Sequence, residues 1–210
     1  MKIIIIYHAD CADGFAGAYA AWKKFGNEAL FFPLIHNTPP PEIKNAEVYI
    51  IDFSFKEEVM KEIIKKAKKV IALDHHISAE KTTKMAHDFR YENDHSGCII
   101  AWNYFHPTKK VPQLLLNIED IELWKFKLRH TKELMTYLES IDFDFEIWDK
   151  IIHDCETEKI QYYLEQGNNL LRFKKRLIEK LVKEAKLVKF ENYSALEVNS
   201  PLFHSEIGND

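Results

Sequence analysis

Several titratable side chains follow directly on apolar runs. His8, Asp10 and Asp13 stand in HADCADG after KIIIIY, Asp52 ends the apolar stretch of YIIDFS, and Asp74, His75 and His76 close ALDHH. Carboxylates clustered without partners repel one another, and burying each costs roughly several kcal/mol. A divalent cation removes that cost. Imidazole mixed with carboxylate suits Mn, Fe or Zn better than Ca or Mg. Asp10, Asp13, Asp52 and one further carboxylate would carry about four negative charges, enough for two divalent ions; ions about 3.5–4 Å apart can share a hydroxide and clamp a phosphoryl centre.

The elements that must carry these groups follow from hydrophobic pattern. Residues 2–7, 28–34, 46–54 and 69–74 read as short strands, and 14–26 and 56–69 as helices between them. Strands alternating with helices of this length imply right-handed crossovers and a parallel sheet. Ligands of such sheets bind at the carboxyl ends of the strands, near a topological switch point, where the titratable residues fall. Three prolines keep 37–43 irregular. Gly14 marks a strand-to-helix turn where backbone can approach a ligand closely. Past residue 95 the pattern is helical, over 96–105, 111–125, 130–140, 145–153 and about 156–189, followed by a strand over 193–203 with a turn at Asn199-Ser200-Pro201. Ser96 is a candidate N-cap, and His95, Ser96 and Gly97 could offer helix N-terminal amides to a phosphate.

Composition narrows the function classes. A net charge of −4 over 210 residues names no partner. Three cysteines, Cys11, Cys98 and Cys155, show no zinc-type spacing and fit reduced thiols in the cytoplasm. The isoleucine run at 3–6 is too short to span a bilayer, so no membrane partner is expected. IHDC at 152–155 has ligand-type side chains but lies in a helical stretch with no partner set, which reads as structural. The run 171–189 holds eight basic residues against two acids and reads first as a solvated face; turned to a cleft, it would attract a nucleic-acid backbone.

HADCADGFAGA, YIIDFS, ALDHH and the later IEDIELW resemble, in order and spacing, the four motifs of the DHH superfamily of phosphoesterases. DHSGCIIAWNYF is similar to a helix start of its oligoribonuclease and cyclic-nucleotide phosphodiesterase branch. The resemblance covers about residues 1–125. It implies a three-layer α/β/α core over 1–125, a helical linker over 126–190, and the beginning of a smaller substrate-binding domain over 191–210. It implies two divalent metal ions, Mn²⁺ by family habit, with His8, Asp10 and Asp52 holding the first and Asp13, Asp52, His75 and Asp120 the second. His76 would face phosphate oxygens, and Asp74 would orient His75 through its other ring nitrogen. The superfamily's first motif commonly reads HxDxDG, so this chain has one extra residue between Asp10 and Asp13. The expected reaction is hydrolysis of short single-stranded oligonucleotides or cyclic (di)nucleotides, with a second copy of the chain as a candidate partner. The alternatives are phosphoanhydride hydrolysis of the pyrophosphatase kind and a module that binds nucleotide or metal without cleaving.

Overall fold

The structure is a computed structural model that describes residues 2–208. Five parallel strands form one sheet in the order β2-β1-β3-β4-β5, with β1 Ile3–His8, β2 Ala29–Leu34, β3 Glu47–Ile51, β4 Lys69–Asp74 and β5 Asp88–Tyr91. The alternation of side chains along a strand divides the core in two. Ile4, Ile6, Val48, Ile50 and Val70 pack on one face with Met60 and Ile63 of helix α2 (Glu57–Lys66). Ile5, Tyr7, Tyr49, Ile51, Ile71 and Leu73 pack on the other with α1 (Ala12–Phe25), α4 (Gly97–Phe105) and α5 (Gln113–Glu122). The short α3 (Glu80–Thr83) lies beside β4 and β5. The result is a three-layer α/β/α domain: the parallel sheet is the one the sequence pattern implies, and the three layers are those the family resemblance implies.

Pro33 in β2 is tolerated because that strand is an edge and pairs only with β1. The opposite edge, β5, escapes the sequence reading: DFRY is four residues long and half charged, which is how natural sheets blunt an edge.

Beyond the sheet come α6 (Thr131–Leu138), α7 (Phe145–Cys155) and α8 (Ile160–Lys183). The helix expected to reach residue 189 stops at Lys183. KLVKF then alternates polar and apolar residues as a strand does, forming β6 (Lys186–Phe190), which pairs antiparallel with β7 (Tyr193–Glu197). The two-residue connection has Glu191 at φ 52°, as tight hairpin turns require. The hairpin therefore spans the division drawn at 190 and 191, and the strand expected through 203 ends before Pro201. A short α9 (His204–Ile207) follows.

Asp154 of the IHDC stretch is structural. Its buried carboxylate accepts from Lys150 Nζ at 2.6 Å and Tyr163 Oη at 2.7 Å, tying α7 to α8. The Lys150 bond, then the Tyr163 bond, hold its carboxyl down at about 2. An unfolded aspartate titrates at about 3.9, so this stabilisation is complete above that pH and disappears as the pH falls toward the folded value. Asp154→Asn is expected to lower the urea midpoint at neutral pH, with the deficit shrinking between about pH 4 and pH 2. A deficit independent of pH across that window would contradict the assignment.

Candidate metal centre

The strand order reverses at β1: β2 lies on one side of it and β3 on the other. That reversal opens a crevice at the carboxyl ends of β1 and β3. His8 is the last residue of β1, Asp52 directly follows β3, and Asp74 ends β4. Asp52 is held by its own amide, which donates to Leu73 O at 2.9 Å, and takes a left-handed backbone at φ 51°. A non-glycine residue in that region costs of order 1–3 kcal/mol, a strain that clusters at functional sites.

Asp52 is 2 % exposed, yet its Oδ1 has no hydrogen-bond partner; neither does His75 Nε2, 3.3 Å away and out of alignment for a bond. The two oxygens face different neighbours. Oδ1 lies 3.6 Å from His76 Nδ1, while Oδ2 lies 3.9 Å from His8 Nδ1 and 3.9 Å from Cys11 Sγ. Three adjoining donor groups result: His8, Cys11 and Asp52; Asp52, His75 and His76; and Asp13, His75 and Glu122. Within each, one ligand atom per residue lies within 4.8 Å of the others. Asp52 joins the first group to the second and His75 joins the second to the third. A buried carboxylate oxygen and an imidazole nitrogen left without partners, among donors of this kind, fit divalent cations.

The ionisation of these groups reports the same crowding. Burial, then Asp13 and Asp74, push Asp52 well above the usual carboxylate range. Burial, then Asp13, raise Glu122, an exposed residue that brings a carboxylate oxygen within 4.8 Å of ligand atoms of Asp13 and His75. Burial, then the imidazoles of His36 and His76, lower His8. Burial, then Asp52, push the Cys11 thiol up to about 12, so Cys11 is no free thiolate nucleophile.

Asp13, fully buried in the first turn of α1, is held from across the domain. Its Oδ2 accepts from the Gly97 amide at 2.7 Å and its Oδ1 from the Cys98 amide at 2.9 Å. The α4 N-terminus thus receives an internal carboxylate in place of the expected phosphate. Glu119 Oε2 accepts from the Ser96 amide at 3.1 Å and lies 2.9 Å from His95 Nδ1, so His95 and Ser96 are also engaged internally. Gly97 is required by contact: a Cβ there would sit 2.6 Å from Asp52 Cβ. At Gly14 the close approach is to the protein's own backbone, because a Cβ would lie 2.5 Å from His8 O.

Three further placements differ from the sequence reading. Asp74 orients His76, not His75: its Oδ1 takes the amides of His75 at 2.7 Å and His76 at 2.9 Å, and lies 2.9 Å from His76 Nδ1. That bond leads the effects raising the His76 pKa. Asp10 is exposed, sits at φ 53°, and joins none of the donor groups among the described residues; Cys11 stands beside His8 and Asp52 instead. Asp120 is buried away from the cluster, where it accepts from the amides of Lys127 at 2.7 Å and Leu128 at 3.1 Å and from Thr131 Oγ1 at 2.7 Å. Burial opposes its ionisation, but these bonds prevail and lower its pKa.

Glu122, two residues on, supplies the carboxylate that faces Asp13 and His75. Residues at i and i+2 do not share a helix face, so motif spacing alone could not select between them. Asp120→Asn should therefore cost stability, by about 1–3 kcal/mol for donors left unsatisfied, and spare cation affinity. Glu122→Gln should do the reverse. Paired chemical denaturation and cation titration calorimetry on both variants check this, and a cation defect in Asp120→Asn alone would refute it.

The fold and site define a class: parallel α/β domains with an acid–imidazole centre at the switch point. Residues 2–124 match the family model described as DHH family, N-terminal domain, and the chain belongs to the DHH family, whose members are generally hydrolytic phosphoesterases that use divalent metals. The chain is 29% identical to the uncharacterized protein R106 of Acanthamoeba polyphaga mimivirus, over 98% of its own length and 53% of that protein's. It thus spans about half the length of the curated relative it matches. The crystal structure of an uncharacterized protein from Helicobacter pylori G27 superposes with a TM-score of 0.60 at 13% identity, covering 85% of this chain and 64% of that one, a likeness of fold. Among the described residues, no helix is long and apolar enough to cross a membrane.

Proposed function

We propose that this chain hydrolyses phosphodiesters of short oligonucleotides or cyclic (di)nucleotides, with divalent cations held by His8, Asp52, His75, Asp13 and Glu122, Mn²⁺ being the first choice for the carboxylate and imidazole donors. The observation that carries this reading is the Asp52 carboxylate, buried, partly unpartnered and shared between two donor groups at the switch point. Bound there, such cations supply Lewis acidity to a phosphoryl group and acidify a coordinated water.

The chain's own residues do the rest. Asp13 keeps its place through the α4 amides and, after burial, raises the pKa of the third carboxylate of the set, Glu122. His76, half exposed and pinned at Nδ1 by Asp74, keeps Nε2 free to donate to phosphate oxygens as charge develops on them. Beside His8 lies a cavity of about 680 Å³ lined by His36, Phe53, Lys56, Ser78 and Thr82. The His36 ring, exposed on one side, stacks on Phe53 at 5.5 Å and 16°. An aromatic platform suits a nucleobase, which favours a nucleotide over pyrophosphate.

The test is a chain stripped of cations, reloaded with Mn²⁺, and offered a ribodinucleotide, a cyclic dinucleotide and pyrophosphate. Cation-dependent release of nucleoside monophosphate or linear dinucleotide is expected, with pyrophosphate untouched. Cleavage of pyrophosphate alone would move the reading to phosphoanhydride chemistry. Binding of dinucleotide without turnover would make the chain a binding module.

A further inference from the structure

Cys11 has no role in the function proposed above, and its position calls for one. It is the N-cap residue of α1, a partly buried free thiol. The other cysteines, Cys98 and Cys155, are buried free thiols of the apolar core. The Sγ of Cys11 faces the carboxylate of Asp52 at 3.9 Å, and the same oxygen is 3.9 Å from His8 Nδ1. In a tetrahedral shell with a sulfur bond of about 2.3 Å and nitrogen and oxygen bonds of about 2.0 Å, neighbouring donors stand roughly 3.3–3.5 Å apart. The two contacts to Asp52 Oδ2 therefore need to shorten by about half an ångström around an ion. His8, Cys11 and Asp52 each bring one ligand atom within 4.8 Å of the others, and the shared Asp52 is 2 % exposed, with its second oxygen, Oδ1, unpartnered on the side of His75 and His76. Asp10, the acid that the motif would place here, is exposed, sits at φ 53° and joins none of the donor groups among the described residues.

We infer that Cys11 is a metal ligand, and that His8, Cys11 and Asp52 make the position at the end of β1 selective for a thiophilic cation such as Zn²⁺, Fe²⁺ or Co²⁺ over Mn²⁺. The inference rests on the reading of this centre as a cation site. Thiolate donors favour these ions over manganese and magnesium, which prefer oxygen. On binding, the S–H bond of Cys11 breaks, a sulfur–metal bond forms, and the proton leaves to solvent. The two sides of Asp52 then differ in kind: sulfur and imidazole toward Oδ2, imidazoles alone toward Oδ1. One centre could thereby hold two different metals.

The experiment adds Co²⁺ to the cation-free chain and reads the near-ultraviolet thiolate-to-cobalt charge-transfer band, with thiol alkylation mapped on the same samples. The expected result is a band that Cys11→Ser abolishes and Cys155→Ala keeps, with Cys11 protected from alkylation by Co²⁺ or Zn²⁺. Cys11→Ser should weaken Zn²⁺ binding by at least about 10-fold while changing Mn²⁺ binding far less. The mapping on the unaltered chain stands even if the serine variant misfolds. Cobalt bound with visible ligand-field bands but no thiolate band, or with Cys11 still alkylated, would overturn the inference and leave the proposed function in place. No uptake of any cation by the unaltered chain would overturn both.

Discussion

Asp52→Asn is expected to reduce cation affinity by more than about 100-fold, the upper end of what supporting residues alone contribute. Asp52 offers one oxygen to each of two donor groups, so its loss affects both. Folding should move the other way or not at all. In the cation-free chain this carboxylate is buried beside Asp13 and Asp74, with one oxygen unpartnered, and an amide of the same shape removes an uncompensated charge. Cation present at 100 times its dissociation constant stabilises a fold by about 2.7 kcal/mol. For a chain of this size that is a rise in Tm of about 5–10 °C. Thermal denaturation with and without Mn²⁺ should show this rise in the unaltered chain and its absence in the variant, whose cation-free Tm equals or exceeds the original. An equal cation-induced rise in both would refute the central place given to Asp52.

The second large effect is expected from Gly97→Ala, which removes no donor. The added methyl would lie 2.6 Å from Asp52 Cβ and 3.0 Å from Asp13 Oδ2. Both neighbours are buried, so relief must come from moving α4 away from the sheet edge or from rotating the carboxylates. Overpacking of this kind costs about 1–3 kcal/mol. The effect on chemistry should exceed the effect on folding, since a displacement of about 1 Å at a catalytic centre can cost about 100-fold in rate. Hydrolysis and cation affinity should both fall sharply while the variant stays folded below a modestly lowered Tm. A variant with unchanged cation affinity would show that the α4 N-terminus does not brace the centre.

Much of this architecture is legible in the amino-acid order. Apolar runs that end on acids and imidazoles, separated by helical stretches, require a parallel sheet, and a parallel sheet brings its strand ends to one margin. His8, Asp52, Asp74, His75 and His76 reach that margin because each lies within two residues of a strand end. Asp13 arrives with them because it opens α1. The terminal hairpin was not legible, since KLVKF continues a basic amphipathic helix as plausibly as it starts a strand until Tyr193–Glu197 pairs with it.

The chain alone thus determined four of the sheet's five strands, the helices between them and the strand-end donors, because periodicity and crossover geometry are local rules; β5, short and half charged, carries no such pattern. Tertiary structure decided which atom of a crowded motif faces inward. In the first motif Asp10 stands exposed at φ 53° while the Cys11 thiol faces Asp52. Asp120 and Glu122 face different neighbours across from α5: the 127–131 segment takes the first carboxylate, and the buried acid and imidazole of the centre face the second. Such choices depend on which partners meet across distant segments, and no spacing along the chain encodes that meeting.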